Sequence, residues 1–307
     1  MAFLTKLIVV CTITQVNPKK RLSTIMVKST FKKVDYKNLF SLKGKIVLVT
    51  GGAGYFGQQF VRGLLDFGAN RVIVVEKPGM KNSFPRKYTH RIAWYEVDLY
   101  DRQATDRIYD QILRDHKRVD VLINNAFEFS PRTGFTPDRS GVIEKATYEQ
   151  FLTSFQSGIW WAFQATQKFG VPMKHRGKGT IINIASPYGV IAPSPLTYRG
   201  FEHAPNPPTY GVVKAGLIQM TKYTASFMAP VRVNALLPGA IPNLEEKAHR
   251  AGKSYRDKFL DRLAERMILG RCGNVTELVG PLIFLASEAS SYTTAHLLHA
   301  DGGWTQI

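Results

Sequence analysis

The sequence predicts an α/β protein in which helices cover both faces of a parallel sheet. From Lys45 onward, short apolar runs of strand length alternate with longer segments of helical periodicity. That alternation is typical of parallel sheets whose strands are joined by helices. At 307 residues, the chain has room for one α/β domain of roughly 250 residues plus an extension. We therefore expect a basic, poorly ordered extension over residues 1–40 and a single domain over residues 41–307.

The predicted strands are short, largely apolar runs, as expected for strands that are mostly buried. The runs are Lys45–Val49, Arg71–Val75, Ile92–Val97, Val119–Ile123, Thr180–Ala185, Val231–Leu236 and His296–Ala300. The helices follow from apolar residues spaced three or four positions apart. Their ranges are Tyr55–Phe67, Arg102–Asp115, Tyr148–Met173, Tyr210–Met228 and Val275–Ser287. Three irregular segments follow strands on the expected ligand side, where loops carry specificity. They are Phe127–Gly141, Pro187–Thr209 and Ala240–Lys253.

Charge and composition exclude several classes of protein. The formal net charge is +18, of which residues 1–44 contribute +8. No arginine cluster with interleaved aromatics is present, so no nucleic-acid partner is expected, although attraction to anionic substrates stays open. No run approaches the roughly 18 apolar residues of a membrane span. Two cysteines, Cys11 and Cys272, cannot build a disulfide framework. We therefore expect a reducing, cytoplasmic location, with Met26 as an alternative start of the chain.

A glycine-rich turn from Thr50 to Gly57 joins the first strand to the first helix. Its glycines allow backbone to approach a pyrophosphate, and the helix N-terminus supplies free N–H groups. Glu76 closes the second strand 19 residues after Gly57. A carboxylate there can accept both ribose hydroxyls and repels a 2′-phosphate. The pattern favours NAD, although Lys77 leaves NADP open, and a solvated strand end is the structural alternative for Glu76.

Polar and small residues also follow the third and fourth strands. Asp98 comes after the third strand and is placed to reach an adenine ring. Asn124-Asn125-Ala126 comes after the fourth, where small residues let a cofactor lie against backbone. Each is weak evidence alone, because Asp and Asn are common at strand ends. Their order along the chain supports a dinucleotide site.

Ser186, Tyr210 and Lys214 are the candidate catalytic residues. Ser186 ends the fifth strand, at the edge where open α/β sheets bind ligands. Tyr210 and Lys214 are four residues apart, so a helix places them on one face. A phenol with a pKa of about 10 is a poor base at neutral pH, and a nearby ammonium lowers that pKa. Ser186 could then hold a carbonyl or hydroxyl oxygen while Tyr210 exchanges its proton. With 13 tyrosines, about one Tyr-x-x-x-Lys is expected by chance, so the motif needs the surrounding pattern.

Further short motifs accompany these residues in order. The full set is Thr50-Gly-Gly-Ala-Gly-Tyr-Phe-Gly57, Asp98, Asn124-Asn-Ala126, Ser186, Tyr210-x-x-x-Lys214, Arg232-Val-Asn234, Pro238-Gly239 and Asp301-Gly-Gly303. From about Lys43 to Trp304, some 85% of its length, the chain resembles the compact, single-domain short-chain dehydrogenase/reductases. The resemblance implies a Rossmann-like, doubly wound sheet of seven parallel strands and a homodimer or homotetramer. It also implies NAD(P)-dependent hydride transfer between nicotinamide and a secondary alcohol or ketone.

The resemblance assigns a role to each candidate residue. Tyr210 is the acid–base group, Lys214 lowers its pKa and holds the nicotinamide ribose, and Ser186 positions the substrate oxygen. The backbone after Pro238-Gly239, near Ile241, meets the nicotinamide carboxamide. The implied cofactor-binding residues are Gly51, Gly54, Tyr55, Phe56, Gly57, Glu76, Asp98, Leu99, Asn125, Ala126, Tyr210, Lys214, Pro238, Gly239 and Ile241.

Three features depart from the family pattern. The glycine turn has the Gly-x-x-Gly-x-x-Gly spacing of the extended branch, which includes sugar epimerases and dehydratases. The helix asparagine that relays protons to the lysine through water aligns with Phe155, and the neighbouring Gln156 is the candidate replacement. Ser186 and Tyr210 are 24 residues apart, which is more than is usual in the family. The additional loop, residues 188–208, should form part of the substrate wall. It carries Tyr198, Phe201 and His203.

The long loop and the Asp-Gly-Gly-Trp304 ending look like dehydrogenases of surface-sugar and flagellin-modification pathways. The sequence therefore predicts an NAD(P)-dependent oxidoreductase, with a polyhydroxylated, nucleotide-linked or acidic sugar as the hypothesis for its substrate. Two alternatives stay open: an NAD-dependent sugar epimerase or dehydratase, and a catalytically silent dinucleotide-binding regulator. No metal is expected, because the histidines are not at metal-ligand spacing. The histidines considered are His203, His249 and His296.

Overall fold

The sheet contains seven parallel strands. They are β1 (Ile46–Thr50), β2 (Arg71–Glu76), β3 (Ile92–Glu96), β4 (Val121–Asn124), β5 (Thr180–Ile184), β6 (Arg232–Pro238) and β7 (Leu297–Ala300). Their spatial order is β3-β2-β1-β4-β5-β6-β7, and every neighbouring pair is parallel. The predicted α/β class and Rossmann-like sheet are confirmed. The order reverses between β1 and β4, and that switch point is where such sheets bind ligands at their carboxyl edge.

The computed structural model describes residues 35–136, 138–201, 205–243 and 253–306. The expectation for the basic extension therefore falls largely on residues 1–34, outside the described residues, as do His203 and His249. Lys37–Ile307 forms one compact unit. The domain boundary near residue 40 stays a prediction.

The α-helices lie on both sides of the sheet. They are α1 (Tyr55–Asp66), α2 (Arg86–Thr89), α3 (Arg102–His116), α4 (Tyr148–Phe155), α5 (Trp161–Ala165), α6 (Val171–His175), α7 (Pro195–Tyr198), α8 (Pro208–Met228), α9 (Lys253–Ala264) and α10 (Val279–Ala286). The sequence analysis missed α2 and α7, which are too short for a periodic pattern, and α9, whose composition is largely polar. Across the described ranges, no helix has the length and hydrophobicity that crossing a bilayer requires.

Alternate side chains of the central strands enter two apolar clusters, one on each face of the sheet. Val47 and Val49 of β1 pack with residues of α1 and α10, whereas Leu48 packs with α3 and the helical run 148–175. All three side chains are fully buried. Full burial of such a side chain contributes about 1.5–3 kcal/mol, so both helical layers are held by the sheet itself.

The long helix predicted over Tyr148–Met173 is helical throughout but not uniform. Five-residue π-helical segments, Gln156–Trp160 and Thr166–Gly170, separate α4, α5 and α6. A π turn widens the helix and changes which side chains face a neighbour. In the first of these segments, a Cβ on Gly158 would lie 2.5 Å from Cγ2 of Val213. Glycine at this position therefore permits the close approach of α8.

A chain of buried polar side chains fixes α8 against the sheet. Asn124 of β4 donates through Nδ2 to Oδ1 of Asn183 in β5 at 2.8 Å. Asn183 Nδ2 donates to Oγ1 of Thr221 in α8 at 2.9 Å, and Thr221 donates to the Leu217 carbonyl at 2.8 Å. An unpaired buried polar group costs about 1–3 kcal/mol, so displacing α8 is unfavourable. The network sets the height of α8 relative to the carboxyl ends of β4 and β5.

Candidate active site

The glycine turn between β1 and α1 is folded tightly on itself and on β4. Gly51 has a φ of +65°, a left-handed conformation that favours glycine. A Cβ on Gly57 would collide with the Gly51 carbonyl, and a Cβ on Gly51 would lie 3.0 Å from Cα of Ala126. Gly54 is the N-cap of α1 and has no side chain, so no side-chain cap covers the start of the helix. Its first N–H groups are therefore available to an anion.

Glu76 lies at the carboxyl end of β2 and turns its carboxylate toward the glycine turn. Oε2 accepts a hydrogen bond from the Ala53 N–H, and Oε1 accepts one from the Lys77 N–H, both at 3.0 Å. The residue is only 9% exposed, so Glu76 is not a solvated strand end. Each carboxylate oxygen retains a lone pair with which it can accept from a ligand hydroxyl.

Asn125 and Ala126 brace the same turn from β4. Asn125 Nδ2 donates to the carbonyls of Thr50 and Gly51 at 3.1 and 2.9 Å. The N–H groups of Asn125 and Ala126 both donate to Thr50 Oγ1 at 3.1 Å. These contacts make Asn125 a structural residue of the turn, and its predicted contact with a cofactor stays a prediction.

The loop after β6 approaches the glycine turn from the other half of the sheet. A Cβ on Gly239 would lie 2.5 Å from Cα of Asp301, so Pro238–Gly239 is packed closely against the end of β7. The Tyr55 hydroxyl donates to the Pro242 carbonyl at 3.0 Å, which links the turn to this loop. A cavity of about 410 Å³ borders the loop and is lined in part by Gly239, Ile241 and Asp301. The predicted Pro238, Gly239 and Ile241 thus lie together.

The other predicted cofactor residues lie at the margin of this arrangement. Asp98 is exposed and accepts a hydrogen bond from the Tyr100 N–H at 2.9 Å. It follows β3 at a distance of two residues, because that strand ends at Glu96. Leu99 is buried, and the Phe56 ring packs against Phe60 at 6.1 Å. Their roles at a cofactor stay predictions.

Ser186 and Tyr210 meet at the carboxyl end of β5. Ser186 is buried, and its Oγ accepts a hydrogen bond from the Tyr188 N–H at 3.2 Å, which caps a short 3₁₀ turn. Tyr210 lies in the first turn of α8, and the Ser186 hydroxyl lies near enough to its hydroxyl to stabilise the phenolate. The long insertion between the two residues therefore loops outward and leaves them as neighbours.

Lys214 lies one turn further along α8 and is only 5% exposed. Its Nζ donates to the Ile184 carbonyl at 2.9 Å and lies 5.7 Å from the centre of the Tyr210 ring. Burial lowers the pKa of Lys214 from 10.5 to about 7. The cause is desolvation, which disfavours the charged amine.

The pKa of Tyr210 differs from the sequence-based expectation. Burial raises this pKa above its usual value, and the Ser186 hydroxyl, which stabilises the phenolate, opposes part of the rise. The expected lowering by Lys214 is not found, because the buried amine is itself partly neutral near pH 7. The neutral phenol is therefore the main form of Tyr210 at neutral pH.

The position aligned with the family's relay asparagine is turned toward the surface. Phe155 is 36% exposed and stacks on Phe151, with ring centres 5.2 Å apart. Gln156, the candidate replacement, donates through Nε2 to the Tyr100 carbonyl at 3.1 Å. Within the described residues, neither side chain hydrogen-bonds directly to Lys214, and the replacement of the relay asparagine by Gln156 stays a prediction.

Four aromatic rings surround Tyr210, and the sequence analysis identified only the loops that carry them. The ring centres of Phe127, Phe135 and Phe129 lie 5.3, 5.5 and 5.9 Å from that of Tyr210. The fourth ring, Tyr188, lies 6.4 Å away. Phe129 is 64% exposed, so it lies at the mouth of the site. Irregular loops have no periodicity, and sequence could not show which of their rings turn inward.

Tyr188 also belongs to a second, more polar side of the site. Its ring packs edge-on against Trp304 at 5.1 Å, and its hydroxyl lies 3.3 Å from that of Tyr198. Trp304 Nε1 is buried and has no hydrogen-bond partner among the described residues. Loop 188–208 was expected to supply part of the substrate wall, and its Tyr198 lies next to Tyr188 on this side of the site. Phe201 instead packs against Phe259 of α9 at 5.2 Å.

These features fit a nicotinamide dinucleotide along the carboxyl edge of the sheet. At Gly51 and Gly57 the turn leaves no room for a Cβ atom, so backbone is exposed to a ligand there. The uncapped start of α1 offers N–H groups to a pyrophosphate. Glu76 lies at one end, where it can accept from ribose hydroxyls. Lys214 lies at the other, with donors beyond the one used by Ile184.

Comparison with known proteins identifies the family. The family model described as enoyl-(acyl carrier protein) reductase matches residues 56–305. The chain is 30% identical over 279 residues to the NADP-dependent mannitol dehydrogenase of Alternaria alternata, covering 88% of this chain and 96% of that protein. It is 28% identical over 279 residues to the 2-dehydro-3-deoxy-D-gluconate 5-dehydrogenase of Bacillus subtilis, covering 86% of this chain and 96% of that protein.

A solved structure of similar fold is a short-chain dehydrogenase from Leptospira borgpetersenii with bound NAD⁺. Its TM-score is 0.72 and its sequence identity 32%, and the match covers 86% of this chain and 94% of that one. The fold and these matches define an NAD(P)-dependent oxidoreductase. This chain belongs to the short-chain dehydrogenase/reductase family.

The buried amine of Lys214 makes stability depend on pH. Its folded pKa of about 7 lies below the ordinary 10.5, so between these values the unfolded state binds more protons. The free energy of unfolding should therefore rise with pH in this window, by up to about 1.4 kcal/mol per unit. Lys214→Met should lack this rise. The variant should be more stable than the wild type by a constant amount below pH 7, and that advantage should vanish toward pH 10.

Urea unfolding of both proteins at a series of pH values measures the difference. Lys178→Met, at an exposed lysine, is the control and should give a flat difference curve. A flat curve for Lys214→Met as well would show that Lys214 stays protonated in the folded protein.

Proposed function

We propose that the protein transfers hydride between NAD and a secondary alcohol or ketone of a hydroxylated, sugar-like substrate, with Tyr210 as the acid–base group. The proposal rests on one observation: Ser186, Tyr210 and buried Lys214 lie together at the ligand edge of the sheet, with Lys214 Nζ 5.7 Å from the centre of the Tyr210 ring and the Ser186 hydroxyl placed to stabilise the phenolate. Nicotinamide, when bound, accepts or supplies the hydride. The residues of this chain then handle the substrate oxygen and its proton.

Ser186 holds the substrate oxygen by a hydrogen bond, next to the Tyr210 hydroxyl. In reduction, Tyr210 gives its proton to the oxygen of the ketone as that carbon gains hydride. In oxidation, Tyr210 takes the hydroxyl proton as the same carbon loses hydride. Because burial raises the pKa of Tyr210, the protonated form is the one ready to act at neutral pH. Proton donation is therefore the easier half of the cycle.

The walls of the site support a sugar-like substrate. One side presents the rings of Phe127, Phe129 and Phe135. The other presents the paired hydroxyls of Tyr188 and Tyr198. A hydroxylated ring has an apolar C–H face and a polar rim, which match these two sides. The names of the relatives, which refer to mannitol and to a deoxygluconate derivative, support the same class.

Turnover of a substrate panel tests this function. Mannitol, gluconate, myo-inositol and a methyl glycoside, each supplied with NAD, should include a compound that yields NADH. Tyr210→Phe should lower kcat by about 10²–10⁴-fold, because it removes the proton carrier, and should leave the Kd for NAD nearly unchanged. NADH absorbance and calorimetric titration measure the two quantities.

Tyr292→Phe, at an exposed tyrosine, is the matched control and should keep full activity. Undiminished turnover by Tyr210→Phe would remove Tyr210 from its role. Epimer formation without net NADH would support the epimerase alternative. NAD binding without turnover of any substrate would support the silent regulator.

We propose NAD as the preferred cofactor, on the evidence of Glu76. Its buried carboxylate faces the glycine turn, where it can accept from a ribose hydroxyl and repels a 2′-phosphate. The wild type should bind NAD at least tenfold more tightly than NADP. Glu76→Gln keeps an acceptor for the Ala53 N–H but removes the charge, so this ratio should fall about tenfold or more.

Titration of each variant with NAD and NADP measures the ratio. Glu96→Gln is the control, because Glu96 is the register partner of Glu76 on β3 and is exposed. A wild type that binds NADP more tightly would contradict the assignment.

We also propose that the protein pairs with a second copy of itself. The helical run 148–163 exposes an apolar stripe, and α8 exposes a second one beside it. The exposed residues are Tyr148, Phe151, Leu152, Phe155, Phe163, Val212, Tyr223 and Phe227. A Cβ on Gly216 would lie 2.6 Å from Cδ1 of Ile159, so the two helices are neighbours and their stripes form one face. Exposed apolar faces of this kind mark interaction surfaces.

A cytoplasmic location stays a prediction from cysteine usage.

Light scattering after gel filtration tests the pairing. The wild type should have at least twice the mass of one chain, which is 34.5 kDa. Phe151→Glu should lower the measured mass to that of a single chain. A charge buried in an apolar contact is strongly unfavourable, which is why a single substitution suffices. Ile143→Glu, at an exposed apolar residue outside the stripe, should leave the mass unchanged. A monomeric wild type would rule the pairing out.

A further inference from the structure

The amine of Lys214 is buried with very few polar neighbours. An ammonium has three N–H donors, and in the described structure one of them reaches the Ile184 carbonyl at 2.9 Å. The nearby loop carries an acid, Glu128, but its Oε1 accepts from Ser130 at 2.6 Å and its Oε2 lies 3.9 Å from Arg132. Lys214 thus has no ion-pair partner among the described residues.

An aromatic face lies where a polar partner would be expected. Lys214 Nζ lies over the Phe127 ring, 4.9 Å from its centre. The same ring meets Tyr210 edge-on, at 5.3 Å and 71°. Phe127 follows Ala126 at the end of β4, so the bracing of the glycine turn also positions this ring. Cε2 of Phe127 would lie 3.4 Å from a Cβ on Gly158, so glycine at position 158 leaves room for the Phe127 ring.

We propose that Phe127 is a positioning residue that stabilises the ammonium form of Lys214 through the face of its ring. The negative face of an aromatic ring attracts a cation, and the attraction is strongest where water is excluded. Burial favours the neutral amine of Lys214, whereas the face of the ring favours the ammonium form. Among the described residues, the titratable group that faces Lys214 is Tyr210 on its own helix, and Tyr188, on the turn packed against α8, contacts the Tyr210 ring. Both phenols are neutral near pH 7, so the Phe127 ring and the Ile184 carbonyl are the groups that favour the cation.

The consequence for catalysis rests on the proposed roles of Lys214 and Tyr210. A retained positive charge lowers the cost of forming phenolate at Tyr210. The ring therefore acts on the proton transfer through Lys214, and it needs no contact with the reacting atoms to do so.

The pKa of Lys214 tests this proposal without a substrate. Protein labelled with ¹³C-lysine is titrated by NMR, and Lys214→Arg identifies the resonance of Lys214. Phe127→Leu keeps apolar bulk but removes the ring face, so the pKa of Lys214 should fall by about one unit. Phe127→Met should lower it similarly, and Phe127→Tyr should restore a value close to that of the wild type.

A trifluorinated phenylalanine at position 127 keeps the shape of the ring and weakens its negative face. This variant should also lower the pKa of Lys214, and it remains informative if the aliphatic variants do not fold. Phe135→Leu is the matched control, because Phe135 contacts Tyr210 and Phe127 but does not lie over Lys214. It should leave the pKa of Lys214 unchanged.

An unchanged or raised pKa of Lys214 in the fluorinated variant overturns the proposal. An equal shift in Phe135→Leu also overturns it, because the effect would then be general burial. Neither result bears on whether the protein is a dehydrogenase, so the two proposals fail separately. Once a substrate is known, Phe127→Leu should move the pH profile of kcat in the same direction as the measured pKa.

Discussion

Keeping an amine out of water beneath a phenol is the constraint on which the rest of the site depends. Desolvation favours neutral Lys214 and neutral Tyr210 alike, because each charged form loses hydration. Each group has few polar contacts. Lys214 donates a hydrogen bond to the Ile184 carbonyl, and the Ser186 hydroxyl stabilises the phenolate form of Tyr210. In so dry a site the field of each remaining group is large. The ring of Phe127 therefore matters more here than it would at the surface.

The same site requires that α8 be held at one height against the sheet. The hydrogen bonds from Asn124 through Asn183 to Thr221 do this, and Thr221 lies two turns beyond Lys214 on the same face of α8. Gly158 allows the helical run 148–175 to approach α8 closely. Both devices are buried, and both would be costly to disturb. The positions of Tyr210 and Lys214 thus follow from packing that takes no part in the chemistry.

The nucleotide half of the site combines structure with recognition. Glu76 accepts from an N–H of the glycine turn, so the proposed ribose acceptor also holds the turn in place. Asn125 binds two carbonyls of the same turn. In the substrate half, the three phenylalanines and the hydroxyls of Tyr188 and Tyr198 give the walls opposite polarity. We infer that the first half selects the cofactor and the second selects the orientation of a hydroxylated substrate.

The sequence by itself determined the α/β class, the strands to within two residues, and the family. These features are local, because a buried strand is a short, largely apolar run, and a glycine turn or a Tyr-x-x-x-Lys spacing is written in neighbouring residues. Only the tertiary structure decided the pKa values of Tyr210 and Lys214, since desolvation depends on what packs around a group from distant segments. It also decided that Gln156 turns to Tyr100 and that Phe127 covers Lys214. Side-chain direction in a π turn or an irregular loop has no sequence period from which it could be read.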